Sequence, residues 1–177
     1  MSNRVSLLLL CCACALGSGC ATPSRPEAMA TTAAAAAHKS AGTVILEVSG
    51  GRQTSSTYVP QISNEDFTTA LRRSIEQGGA FARVPAALPA DYRLLAYIGR
   101  LDSPMMGMTV RVELEVGYQL IETATNRKVW ARGIHTQYTV PSDKAYAFVD
   151  RVRIGNEAAA RMNIEQMLNE VSALKLP

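Results

Sequence analysis

The sequence predicts an α+β fold: a four-stranded antiparallel sheet with two helices packed on one face, in the order β-α-β-β-β-α. Three observations carry this reading. Three strand-like stretches follow one another between residues 91 and 140 with only short connections, as antiparallel neighbours allow. The middle stretch alternates apolar and polar residues without a break from Val110 to Leu120, the pattern of a strand buried on one face. Two stretches of helical period lie on either side of this block.

The elements follow in order. Residues 43–48, TVILEV, form a short β-branched strand. Residues 49–60, SGGRQTSSTYVP, are a polar loop with two glycines. The loop lacks the GK[ST] ending of a phosphate-binding loop, which excludes that motif. Ser63 caps the first helix, with Asp66 three residues on. Phe67, Ala70, Leu71, Ser74 and Ile75 share one face of it, and Gly78 and Gly79 stop it. Residues 91–102 are the second strand. Tyr92, Leu94, Ala96 and Ile98 point one way; Arg93, Leu95, Tyr97 and Gly99 point the other. Residues 108–121 are the third strand, 123–128 (TATNRK) a turn, and 129–140 the fourth strand, with Trp130, Ile134 and Tyr138 on one side and a bulge expected at Gly133. A final helix runs from near Asp150 or Asn156 to Leu174, Ser142 offering an earlier cap. Its apolar stripe is Ala160, Ile164, Met167, Leu168, Val171 and Leu174.

Three segments precede or make up the chain's organisation: 1–19 a signal segment, 20–42 a tether, and 43–177 a single domain. The tether, rich in alanine, threonine, serine and proline, is expected to contribute nothing to a core. As a coil it would span roughly 25 Å. The body of about 135 residues is long enough for one core.

Residues 1–20, the signal segment with the cysteine that follows it, read MSNRVSLLLLCCACALGSGC. Arg4 supplies a positive start, and the apolar run Val5–Leu16 is about twelve residues, short of the roughly 20 that span a bilayer. All four cysteines, Cys11, Cys12, Cys14 and Cys20, fall inside this stretch, so the exported body has no pair to form a disulfide. The ending LGSGC, Leu16–Cys20, resembles the lipobox of bacterial lipoproteins, with Gly17 where that family prefers leucine. The resemblance implies cleavage before Cys20 and acylation of that cysteine. Ala21 stands where an aspartate would mean inner-membrane retention. The resemblance therefore implies an outer-membrane anchor with the body facing the periplasm. The alternative is an ordinary secretory signal cut near Ala21. Several acyl chains would make the anchor effectively permanent.

A lipidated cysteine, a tether and a β-α-β-β-β-α body also resemble two groups of small Gram-negative outer-membrane lipoproteins. These are the lipopolysaccharide-assembly lipoproteins and the auxiliary lipoproteins of ABC-type transporters. YQLIETATNRKVW, Tyr118–Trp130, resembles the strand-turn-strand such proteins carry, with Asn126 where glycine is usual. No binding residue is implied by this likeness.

The chain carries 18 Lys and Arg against 15 Asp and Glu, a net charge of +3. The basic residues are scattered, so the footprint of a nucleic-acid binder is missing. No cofactor or zinc motif is present: the body has one histidine, His135, and no cysteine pair. Glu113 and Glu115 share a strand face with Cα atoms about 6.8 Å apart. That approaches glycosidase spacing, but Arg111 beside them fits a solvated face of ion pairs better. Met105, Met106 and Met108 crowd one hairpin loop. Local packing, contact with a partner or lipid, and Cu(I) binding are all open to them. Leu95 and Tyr97, facing away from the helices within a charged rim, mark a second candidate contact surface.

These readings converge on a lipid-anchored, non-enzymatic adaptor or assembly factor for a periplasmic or outer-membrane partner. Its membrane contact would run through acylated Cys20. The alternative is an accessory protein that binds or transports lipid or glycolipid, which requires an apolar groove open to solvent.

Overall fold

A computed structural model describes residues 22–32, 40–55, 59–174 and 176. Its elements are α1 (Pro26–Met29), β1 (Val44–Ser49), α2 (Asn64–Gly78), β2 (Tyr92–Asp102), β3 (Val110–Glu122), β4 (Arg127–Val140) and α3 (Phe148–Ser172). The four strands form one sheet in the order β1-β2-β3-β4.

The fold class is the expected one, but the sheet is mixed. β1 runs parallel to β2, with Val44 opposite Tyr92 and Ser49 opposite Tyr97. β2, β3 and β4 are antiparallel, as expected. The reason lies in the connections. Between β1 and β2 the chain makes a long crossover through α2, which returns it to the same end of the sheet and makes the pair parallel. Two irregularities bend the ladder, one between Ile98 and Arg100 and one between Leu120 and Ile121. On β4 the second falls at Val129, since Leu120 pairs with Trp130 and Ile121 with Lys128. The bulge expected at Gly133 is not there; Gly133 sits in regular register opposite Gly117.

One face of the sheet carries the core. Val110, Val112, Leu114, Val116, Tyr118 and Leu120 of β3 are all buried, beside Tyr92, Leu94, Ala96 and Ile98 of β2. α3 packs across β3 and β4, α2 packs on β1, and α1 touches both α2 and α3. Ser63 caps α2 by accepting from the Asp66 N–H at 3.0 Å. Gly79 closes the helix in the left-handed conformation, φ 67°, which costs glycine nothing. Asn126 also adopts positive φ, 54°, in the β3–β4 turn. Asparagine tolerates this conformation better than most residues.

α3 starts at Phe148 behind Ala147, earlier than either expected start, and without a side-chain cap from Ser142. Gly155 does not break it. A Cβ there would come within 2.6 Å of Val112 Cγ2 and 3.1 Å of Val140 Cγ2. The missing side chain lets the helix settle against the sheet.

The largest departure concerns the tether. Residues 22–32 are packed against the domain rather than hanging from it. Met29 is completely buried, and Ser24 and Thr31 are nearly so. The Arg25 N–H donates to Glu157 Oε1 at 3.0 Å, and its guanidinium pairs with the same carboxylate. Glu27 pairs with Arg73 at 2.8 Å, and the Thr31 N–H donates to Ser74 Oγ at 3.0 Å. Composition misled here because one methionine and a single helical turn suffice to dock a segment onto a surface that already exists. Burying a methionine contributes about 1.5–3 kcal/mol. The signal segment and Cys20 lie outside the described residues. No helix among those described is long and apolar enough to cross a membrane.

Candidate interaction surface

The sheet face opposite the helices is built by the outward residues of all four strands. Register places them in rows across the sheet. Glu47, Leu95, Gln119 and Ala131 form one row; Ser49, Tyr97, Gly117 and Gly133 form the next. Arg100, Glu115 and His135 follow beyond the Gly99 irregularity, then Asp102, Glu113 and Gln137.

The two central rows mix polar Glu47, Ser49 and Gln119 with Leu95, Tyr97, Ala131 and two glycines. Tyr97 is 59% exposed, and Leu95 is half-buried beside it. Two glycines and an alanine follow on β3 and β4, so the surface drops away from the tyrosine ring toward the β4 edge. Nothing lies within 4 Å of where a Gly133 Cβ would be. A shallow depression of about 440 Å³ runs here, lined by Glu47, Ser49, Leu95, Tyr97, Gly117 and Gln119 among others. Gly50 explains the ring's position: a Cβ there would lie 3.0 Å from Tyr97 Cε2 and 2.3 Å from the Ile98 carbonyl.

Charge rims this strip. Arg93 Nη1 lies 3.9 Å from Glu47 Oε1, and its Nη2 donates to Asn126 Oδ1 at 3.1 Å. Arg100 pairs with Asp102 at 2.8 Å, which raises its pKa, and His135 Nε2 lies 3.6 Å from Glu113 Oε2. Glu115 sits in register between Arg100 and His135. The two carboxylates considered for hydrolysis thus lie in a field of basic neighbours. Among the described residues, no group of three or more His, Cys, Asp or Glu is placed to hold a metal ion.

The methionines lie elsewhere, so the residues singled out in the sequence form two surfaces and not one. Met105, Met106 and Met108 occupy the loop between β2 and β3, beyond the strand ends, and are 72%, 83% and 89% exposed. Local packing of these side chains is therefore not what the structure shows. Arg151 Nη1 donates to the Met108 carbonyl at 2.6 Å, which ties the loop to the start of α3. Sequence reasoning missed Tyr146 and Val149, which are also exposed at this pole. The short apolar run AYAFV after the turn at Pro141 was the available signal.

The covered face has polar features of its own. The phenol of Tyr118, its pKa pushed up by complete burial, donates to Asn163 Oδ1 at 2.9 Å. Asn163 Nδ2 donates to the Ile134 carbonyl and to Thr136 Oγ1. Glu157 is nearly buried and accepts from Arg25 and Arg153. No sequence motif announces either group.

No family model matches the chain, and no curated protein matches it in sequence. Solved structures do share its fold. A DUF330-family protein from Xanthomonas campestris is similar at a TM-score of 0.61 and 14% identity, over 84% of this chain and 89% of that one. PelC from Paraburkholderia phytofirmans, solved as a dodecamer, is similar at 0.54 and 15%, over 79% and 93%. The uncharacterized lipoprotein B from Nitrosomonas europaea is similar at 0.54 and 13%, over 78% and 86%. At these identities the likeness establishes the fold: this chain has a body of the kind found in small bacterial lipoproteins.

Proposed function

We propose that the chain is a lipid-anchored envelope protein, held in the outer membrane by acylated Cys20 with its body in the periplasm. It acts there without catalysis, as an adaptor or assembly factor for an envelope protein. The observation that carries the adaptor role is the open sheet face. An exposed tyrosine and a half-buried leucine border a strip of glycines, flanked by the Arg93–Glu47 and Arg100–Asp102 pairs. Aromatic anchors inside a polar rim are the anatomy of a protein contact.

Three further points support the reading. The segment up to Cys20 has the parts of a lipoprotein signal. The fold is shared with a lipoprotein from Nitrosomonas europaea, and the element order read from the sequence resembles that of lipopolysaccharide-assembly and transport-auxiliary lipoproteins. PelC, of the same fold, is a dodecamer, a precedent for association through this architecture.

The test is site-specific photocross-linking in intact cells. A photoreactive residue at Tyr97 should give a discrete protein adduct, and one at Glu76 on α2 should not. Equal labelling from both positions, or none from either, rejects the open face as the contact. Cys20→Ser tests the anchor separately. It should move the protein out of the membrane fraction; a native N-terminus found unacylated would sink the lipoprotein reading.

A further inference from the structure

The way residues 22–32 pack fixes how the body must sit on its membrane. This inference rests on the lipoprotein reading of Cys20 and adds an orientation to it. Arg25 is pinned to Glu157 through its backbone N–H and its guanidinium. Three residues on, the Ala28 carbonyl accepts from Arg161. The segment therefore runs alongside α3 in the same direction. Followed backward from Arg25, the chain heads for the N-terminal end of α3.

Chain length sets the distance. Five residues separate Arg25 from Cys20, which at full extension reach about 17 Å. Nine residues separate Glu157 from the start of α3 at Phe148, about 14 Å along the helix axis. Cys20 can thus reach the plane of the α3 N-terminus, and little chain is left over. Acyl chains on Cys20 would then hold the body closer than a tether of residues 20–42 in coil form could.

The pole at that plane is the apolar one. It carries Met105, Met106 and Met108 from the β2–β3 loop, Tyr146 from the β4–α3 connection and Val149 from the first turn of α3, all exposed. Arg151, bonded to the Met108 carbonyl, holds the two segments together. The opposite pole pairs a polar β3–β4 turn, Thr123, Ala124, Thr125 and Asn126, with the 85–90 loop, where, among the described residues, Leu88 is the one large apolar side chain exposed. The twelve residue steps of β3 put the two poles about 40 Å apart.

We infer that this methionine- and tyrosine-bearing pole is a second membrane contact. It dips into the lipid headgroup region beside the Cys20 anchor and sets the body upright, with the β3–β4 turn away from the bilayer and the open sheet face turned sideways to it. Flexible methionines and an interfacial tyrosine suit a surface with an apolar and a wet side.

The experiment uses the full-length lipidated protein, whose mature chain has no cysteine other than Cys20. A single new cysteine, Met106→Cys or Ala124→Cys, then takes an environment-sensitive fluorophore at one known position. Each protein is reconstituted into vesicles of phosphatidylethanolamine and phosphatidylglycerol containing brominated lipid, with no other protein present. The label at 106 should be quenched at least twofold more than the label at 124. Mass spectrometry of the N-terminal peptide fixes the acylation state in the same samples. Acylated Cys20 with equal quenching at both positions overturns the membrane-facing pole and leaves the lipoprotein reading standing. Shielding at 106 that is absent from these vesicles but present in a parallel set reconstituted with membrane proteins assigns the pole to a protein and also overturns the inference. An unacylated Cys20 removes both.

Discussion

The two faces of β3 are made by alternate residues of one strand, yet they obey different rules. The inward set, from Val110 to Leu120, is buried without exception, and each side chain is held on several sides. The outward set, from Arg111 to Gln119, meets water, ions of opposite sign and a strip of glycines. Inside, size and shape decide and a methylene is felt. Outside, the fold tolerates most residues, so what stands there is free to serve contact. A tyrosine exposed on such a face is more informative than any leucine beneath it.

The contrast can be broken or sharpened by substitution. Leu114→Ala, in the middle of the covered face, should give the largest loss, about 3–5 kcal/mol in a denaturant melt. A loss under 1 kcal/mol would mean the sheet and α3 are not packed as described. Met29→Ala should cost about 2–3 kcal/mol, toward the low end for a core methionine because α1 lies at the periphery and can relax. No change there would return residues 22–32 to the status of a free tether. Met105→Ser combined with Met106→Ser should shift stability by no more than about 0.5 kcal/mol, as an exposed site predicts. Unfolding comparable to Leu114→Ala would show the loop to be core. The smallest effect is expected at Asp91. Its carboxyl accepts from the Thr43 N–H at 2.7 Å and the Thr43 hydroxyl at 2.8 Å, which hold it below the usual carboxylate range. The folded-state pKa is thus below the unfolded one. The contact stabilises the fold above about pH 4, and that contribution fades as the pH falls through the folded value. Asp91→Asn should make the melting temperature slightly less sensitive to acid over that window, with little change at pH 7.

Where the sequence was readable, periodicity did the reading. Alternation on β3 placed every inward residue correctly, and the Ser63 cap and Gly79 stop bounded α2. What periodicity could not supply was the direction of β1. That direction follows from a crossover whose helix was seen but whose return path was not. Nor could composition show that Met29 would find a site between α2 and α3, since the site is made by residues over forty positions away. The exposed pair Leu95 and Tyr97 was legible from parity alone. The glycine strip beside it was not, because Gly117 and Gly133 become neighbours only once the β3–β4 register is set. Tyr146 and Val149 were missed because an apolar run before a helix reads as part of its buried stripe.

Asn163 carries one more consequence. The buried side of α3 around it is rich in alanine, with Ala158, Ala159 and Ala160 in sequence. Small side chains pack closely but discriminate poorly. A slip of one helical turn, about 5.4 Å, would bring Ala159 to the place of Gly155, where a Cβ meets Val112, and Met167 to that of Asn163. The amide of Asn163 forbids the slip, because it would leave the Tyr118 phenol, the Ile134 carbonyl and the amide itself without partners in a dry interior. Each such orphan costs about 1–3 kcal/mol. One asparagine thus works as a locating pin: it adds modestly to the strength of the joint and fixes where the joint is made.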